Sequence, residues 1–318
     1  MAAVFGSASV TVGGTIRHDQ ADSSYRNLSS SYASVGKLNW TDGGASYLAS
    51  GTLIAPNWVL TAGHTTDGRA VSQMSFALGV STYTAAQWIP HPNWSGNLSS
   101  GFDIGLVRLT NSVTNVTPAT RLTTADELGK VGVSVGFGTT GTGKTGYKNG
   151  TGGTKRAGEN VIDAYGSSVG MSYQYMLSDF DDPNNADRMN AFGSASPRSL
   201  EYSIAPGDSG GGTFINVGGT PLLAGVHSFI SAFYRPTGDG RVNASYSDFF
   251  GSTRVSLFNN WINSYVLVGP SSATSFATSF ESGSKKVRRT GTAAVPEPTS
   301  AFLAVLGLLS LVLNRRRG

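Results

Sequence analysis

Apolar residues come in short runs broken by turn chemistry, the pattern of a chain built from strands. Ser46-Tyr47-Leu48-Ala49 and Thr52-Leu53-Ile54 are two such runs, and Ala55-Pro56-Asn57 turns the chain before Trp58-Val59-Leu60-Thr61. Residues 74–90 hold two more predicted strands, and the text stays strand-like from Thr15 to about Thr120. Residues 131–138 and 159–164 predict strands of a second half. Residues 141–158, rich in Gly, Thr and Lys, read as a mobile loop. The period changes near Val255, where Val255, Phe258, Ile262 and Val266 recur at helical spacing. After Val268 both patterns stop. Residues 269–294 are Gly, Pro, Ser, Ala and Thr with two basic pairs, a predicted flexible linker.

Composition sharpens this picture. Glycine makes up 42 of 318 residues, about twice the usual ~7 %, which suits tight turns between short strands. There is no cysteine, so no disulfide and no thiolate metal site can form. The formal net charge of +4 is misleading. Residues 281–318 carry seven basic and two acidic side chains, a net of +5, so the rest of the chain carries −1. A nearly neutral body argues against nucleic acid as a partner. Residues 1–14 include Val4-Phe5-Gly6-Ser7-Ala8-Ser9, which has the small-residue character of the end of a secretory signal peptide. The stretch Asp179-Phe180-Asp181-Asp182-Pro183-Asn184-Asn185-Ala186-Asp187 offers oxygen ligands for Ca²⁺, with Asp179, Asp181 and Asp182 as candidates, but without EF-hand spacing, and a solvated acidic loop is the favoured reading. No cofactor is called for.

The stretch Ala205-Pro206-Gly207-Asp208-Ser209-Gly210-Gly211-Gly212 carries the chemistry. A hydroxyl is a poor nucleophile at neutral pH and needs an adjacent base and a site for the oxyanion it creates. Glycines let the backbone turn sharply and bring N–H groups close to a substrate carbonyl. Alone, Gly-Asp-Ser-Gly could be an ordinary polar turn. Two upstream stretches change that reading: Thr61-Ala62-Gly63-His64 and Phe102-Asp103-Ile104-Gly105-Leu106.

In the chain order His64, Asp103, Ser209 the three stretches resemble the trypsin-like serine proteases. Gly136-Phe137-Gly138-Thr139, Gly225-Val226-His227-Ser228-Phe229 and Ser252-Thr253-Arg254-Val255-Ser256 resemble later strands of that family. The resemblance covers residues 15–268 and implies an all-β domain of two six-stranded antiparallel barrels with a C-terminal helix. It implies Ser209 as nucleophile, His64 as general base, Asp103 as its orienting partner, and the N–H groups of Gly207 and Ser209 as oxyanion hole. It places Ser203 at the base of the substrate pocket, Ile230 and Phe250 on its walls, and His227 and Ser228 beside it. His91 is expected to be structural. Asp208 matches the aspartate that pairs with a new N-terminus after activation, with Thr11 and Ile16 as imperfect candidates for that terminus. Ala49, Thr65 and Ala205 stand where the family commonly has cysteine, so packing must hold these loops.

The last segment, 295–318, resembles a PEP-CTERM sorting signal. Pro296-Glu297-Pro298 precedes an apolar run from Ala301 to Leu313, and Arg315-Arg316-Arg317 ends it. As a helix this run reaches only ~20 Å, short of a ~30 Å hydrocarbon core, which suits a transient anchor. The arginines would hold that end in the cytoplasm. The resemblances together imply an exported endopeptidase acting on proteins or peptides. An exosortase-like enzyme would sort it to the cell surface or extracellular matrix. Alternatives are a silent surface protein on a protease scaffold and an esterase using the same triad. The intact triad argues against the first. The second would need Ser, Asp, His order and α/β alternation, both absent.

Overall fold

A computed structural model describes residues 14–267 except 43, 69–72, 185–190, 195 and 233–240. The chain divides into two compact units, Met1–Leu267 and Val268–Gly318. The second unit, with the predicted linker, anchor and Pro296-Glu297-Pro298, lies outside the described residues, as does the N-terminal segment with Thr11.

The elements begin with β1 (Gly14–Ile16), helix α1 (Asp22–Ser29), β2 (Val35–Asp42), β3 (Ala45–Ala55) and β4 (Trp58–Thr61). The one-turn helix α2 (Gly63–Thr66), β5 (Ser75–Leu78), β6 (Ser81–Pro90) and β7 (Gly105–Leu109) complete the first half. The second half holds β8 (Val131–Gly136), β9 (Thr140–Thr142), β10 (Gly146–Tyr147), β11 (Arg156–Val161) and β12 (Ala164–Tyr165). It continues with β13 (Tyr175–Asp179), β14 (Tyr202–Ser203), β15 (Gly212–Val217), β16 (Thr220–Ala232), β17 (Asp248–Arg254) and helix α3 (Asn259–Val266).

Strands β2-β3-β4-β7-β6-β5 close into a barrel. Its interior is filled by side chains that alternate inward, including Leu38, Leu53, Val59, Phe76, Leu78, Val107 and Leu109. The second half differs from the expected six-stranded barrel. Seven strands form one antiparallel sheet, β11-β8-β15-β16-β17-β13-β12, and β10-β9-β1-β14 form a second sheet. β11 and β13 are not neighbours in the ladder. The buried Asn160 side chain spans the opening instead, donating to Asp179 O at 2.7 Å and Tyr202 O at 2.9 Å. An apolar core joins the halves: Leu60, Ala62, Ile104 and Leu106 from the first meet Val135, Phe214, Leu223 and Val226 from the second. Phe258 and Ile262 of the C-terminal segment pack into the same core. The helical period read from Val255 becomes a 3₁₀ turn over Val255–Leu257 and then α3.

Two local expectations are corrected. Residues 22–29 are helix, not strand. Asp22 sits in the first turn and pairs with Arg26 at 3.0 Å, while the fully buried Tyr25 donates its hydroxyl to Glu201 O at 3.0 Å. Long-range anchoring of this kind overrides local propensity. The expected mobile loop over residues 141–158 is partly ordered: β9 and β10 pair as a hairpin, and β9 pairs with β1.

Candidate active site

His64 enters the site from α2, directly after β4. Its main-chain N–H donates to Asp103 Oδ1 at 2.8 Å, and its Nδ1 lies 2.8 Å from Asp103 Oδ2. Asp103 has no exposed surface, while the His64 side chain is 35 % exposed. The pair thus has a buried acidic end and a basic end open to solvent. Ser228 Oγ donates to the same Asp103 Oδ2, and Thr253 Oγ1 donates to Asp103 O at 2.8 Å. The ladder register shifts between His227 and Phe229, and such an irregularity re-aims a side chain. Ser228 lies within it.

Asp103 is presented by an unusual backbone. Phe102 has φ 64°, a left-handed conformation that bulky residues rarely adopt. An aromatic box surrounds it: the buried His91 stacks on Phe102 at 5.0 Å and meets Phe258 at 5.2 Å and Trp261 at 4.9 Å. Burial pulls the His91 imidazole down to about 4, so it is neutral there. These contacts fit the expected structural role of His91 and provide the packing needed to hold a strained turn.

The Ser209 loop packs against the strands that lead to His64. Gly210 has φ 80°, and a Cβ there would come within 1.9 Å of Thr61 Oγ1, so only glycine fits. Ser209 O accepts from Ser50 N at 2.8 Å. Within the loop, Asp208 N–H donates to Ala205 O at 2.9 Å, Gly210 N–H to His227 O at 2.8 Å and Gly211 N–H to Asp208 O at 2.8 Å. The N–H groups of Gly207 and Ser209 have no acceptor among the described residues. Two such donors, one on the half-buried serine itself and one two residues before it, are chemically able to stabilise a developing negative charge.

Asp208 is fully buried. Its Oδ1 accepts from Gly138 N–H at 2.7 Å, and its Oδ2 accepts from Ala205 N–H at 2.9 Å and Tyr202 OH at 3.3 Å. Its partners are therefore main-chain amides and a phenol, and Ile16 stays within β1, paired with Tyr202. Burial pushes the Asp208 carboxyl up to about 7, against the pull of these bonds. Where the family commonly has cysteine, Thr65 is buried and donates its hydroxyl to Ala62 O at 2.7 Å, and Ala49 lies in the barrel core.

Of the residues expected in a substrate pocket, Ser203 is fully buried on β14 and donates to Ile204 O at 3.3 Å. Ile230 and Phe250 are both buried and stand directly opposite each other across β16 and β17. His227 lies beneath the serine loop. Its Nδ1 donates to Asp208 O at 3.3 Å, its Nε2 has no partner among the described residues, and burial pulls the ring down to about 3. Ser50, Phe102 and Thr253 escaped the sequence reading as site residues.

From Asp179 to Asp182 the acidic stretch is not a solvated loop, and its end, 185–187, lies outside the described residues. Asp179 and Asp181 are buried and Asp182 is half-buried, and Asp179 Oδ2 accepts from the main-chain N–H groups of Ala191 and Phe192. Among the described residues no three acidic or histidine side chains converge as metal ligands. Burial pushes Asp179 up to about 7 and Asp181 up to about 8, and it raises Asp163 and Glu201 as well. Carboxyls raised in the folded state stabilise it while protonated, fully below their unfolded values, and lose that contribution as pH climbs through 7 to 8. Melting temperature should therefore fall as pH rises from about 4 to about 8, and Asp181→Asn should flatten the fall. An equally steep profile in that variant would contradict this.

A family model described as Trypsin matches residues 25–262. Chymotrypsin-like elastase family member 1 of Bos taurus is 30 % identical over 254 residues, covering 74 % of this chain and 85 % of its own. The proteins of the same name from Rattus norvegicus and Homo sapiens are 39 % and 38 % identical, over 26 % of this chain. The chain thus spans only about a third of their length, 35 % and 36 %. Among solved structures, neuropsin, a serine protease expressed in the limbic system of mouse brain, aligns with a TM-score of 0.53. That alignment has 21 % identity and covers 74 % of this chain and 94 % of that one, a likeness of fold.

Proposed function

The chain belongs to the trypsin family of serine proteases, and from that membership we propose that it is an endopeptidase in which Ser209 attacks the scissile carbonyl. The observation that carries this reading is the doubly bonded His64–Asp103 pair, set beside a serine loop with two free N–H groups. His64 takes the Ser209 proton and returns it to the leaving amine. The new acyl-oxygen bond forms as carbonyl electrons move to the oxyanion, which Gly207 and Ser209 N–H groups stabilise. Water then attacks the acyl-enzyme by the same route. Asp103 fixes the imidazole tautomer and stabilises the imidazolium.

Substrate preference follows from the pocket residues. Ser203 offers no counter-charge, and a buried cationic side chain left unpaired is costly. Ile230 and Phe250, paired across the sheet, favour a shallow apolar pocket. A neutral His227 turned toward Asp208 O gives little electrostatic reason to favour acidic residues. A peptide library varied at the position before the cut tests both activity and preference. Small and medium apolar residues should be cleaved best, and Lys or Arg poorly. Strong preference for Lys or Arg would contradict the pocket, and strong preference for Glu would give His227 a specificity role.

Export and sorting through Pro296-Glu297-Pro298 are part of the same proposal and rest on sequence alone. Mature surface protein intact through Gly318 would contradict processing there.

A further inference from the structure

Four successive carbonyls of the serine loop are tied down. Pro206 O accepts from Thr139 N–H at 2.7 Å, and Gly207 O from Ser50 Oγ at 2.9 Å. Asp208 O accepts from Gly211 N–H at 2.8 Å and His227 Nδ1 at 3.3 Å, and Ser209 O from Ser50 N–H at 2.8 Å. Because each peptide is planar, fixing the Pro206 and Asp208 carbonyls fixes the Gly207 and Ser209 N–H groups, and fixing the Gly207 carbonyl holds the peptide that lies between them. Two of these five hydrogen bonds come from one residue, Ser50 of β3, which is fully buried. Its hydroxyl also accepts from Phe137 N–H at 2.9 Å, and its carbonyl accepts from Thr61 Oγ1 at 2.9 Å. Ser50 thus uses its side chain and both main-chain groups to join the strand before His64, the serine loop and the Gly136–Gly138 segment.

The hydroxyl matters most at Gly207. That residue has φ 96°, a region open to glycine. Backbone preference alone does not hold it there, since glycine populates positive and negative φ about equally. We propose that Ser50 is a positioning residue for the oxyanion site: its hydroxyl holds the Gly207 carbonyl, and with it the 207–208 peptide that links the two flanking peptides, so that the Gly207 and Ser209 N–H groups those carry stay aimed at the reacting carbonyl. The inference rests on Ser209 being the nucleophile.

Ser50→Ala removes the Oγ bonds to Gly207 O and Phe137 N and keeps every main-chain bond. Turnover is read per active site, with sites counted by fluorophosphonate titration, so that partial unfolding does not count as lost catalysis. We expect kcat to fall about 10- to 100-fold, somewhat less than removal of an oxyanion donor outright, with KM within about threefold. Affinity for a peptide trifluoromethyl ketone, which forms a tetrahedral adduct, should fall by the same factor as kcat/KM. If the alanine variant fails to fold, Ser50→Cys carries the same test, since it keeps the volume and offers a weaker donor. Turnover per site within twofold of wild type overturns the inference, even if the melting temperature drops. A wild-type protein that does not label at Ser209 overturns the nucleophile assignment and this inference together. Labelling in wild type with unchanged turnover in the variant overturns this inference alone.

Discussion

Replacing Ser209 by alanine should lower peptidase turnover by at least about 10⁴-fold and leave the fold intact. The loop is held by main-chain groups, with Ser209 O on Ser50 N–H and the flanking amides on Ala205, His227 and Asp208 carbonyls. Alanine keeps all of these bonds and deletes only the nucleophile. His64→Ala should cost about as much, since the general base is then lost. Its main-chain N–H still donates to Asp103 Oδ1, so α2 keeps its anchor. The double variant should be no worse than either single one, because the two groups act as a unit. Steady-state kinetics with circular dichroism checks this. Near wild-type activity in either folded variant would contradict the assigned roles.

Asp103→Asn should cost about 10⁴-fold in kcat. The carboxylate meets only donors: His64 N–H on Oδ1, and His64 Nδ1–H with Ser228 Oγ–H on Oδ2. An amide must turn its NH₂ toward one of these sites. If NH₂ faces His64 Nδ1, the imidazole is held in the tautomer that cannot accept the Ser209 proton. If it faces the His64 main chain, two donors oppose each other in a fully buried site. Thr253 Oγ1 still holds the main-chain carbonyl, so the defect should appear in kcat with little loss of melting temperature. A drop of less than tenfold would show that Asp103 does not set the imidazole tautomer.

The site was legible where chemistry demands particular residue types in a local frame. Ser209 between Asp208 and three glycines, His64 after β4 and Asp103 before β7 could each be read from a few neighbours. Ser50 could not. Its partner Gly207 lies 157 positions away, and an isolated serine on a strand carries no signal of what it bonds. Phe102 was opaque for a similar reason: its left-handed backbone depends on packing by His91, Phe258 and Trp261 from two other segments. In the fold, short apolar runs exposed strands of the first half and helical period exposed α3, while the barrel was implied only by the resemblance. The apolar pattern did not reveal that β11 and β13 would be bridged by the Asn160 side chain rather than paired. Nor did it reveal α1, whose few local cues are outweighed by anchors on Glu201 and Arg156. The acidic stretch misled because its composition suits a solvated loop, while β13 carries Asp179 into the interior.

The central claim is that Ser209 is a nucleophile activated by His64. The most direct measurement is reaction of the purified protein with a fluorophosphonate, followed by mass mapping of the adduct. The account predicts one adduct, on Ser209, lost in Ser209→Ala and strongly slowed in His64→Ala. No adduct on a folded wild-type protein, or an adduct on another serine, would contradict it.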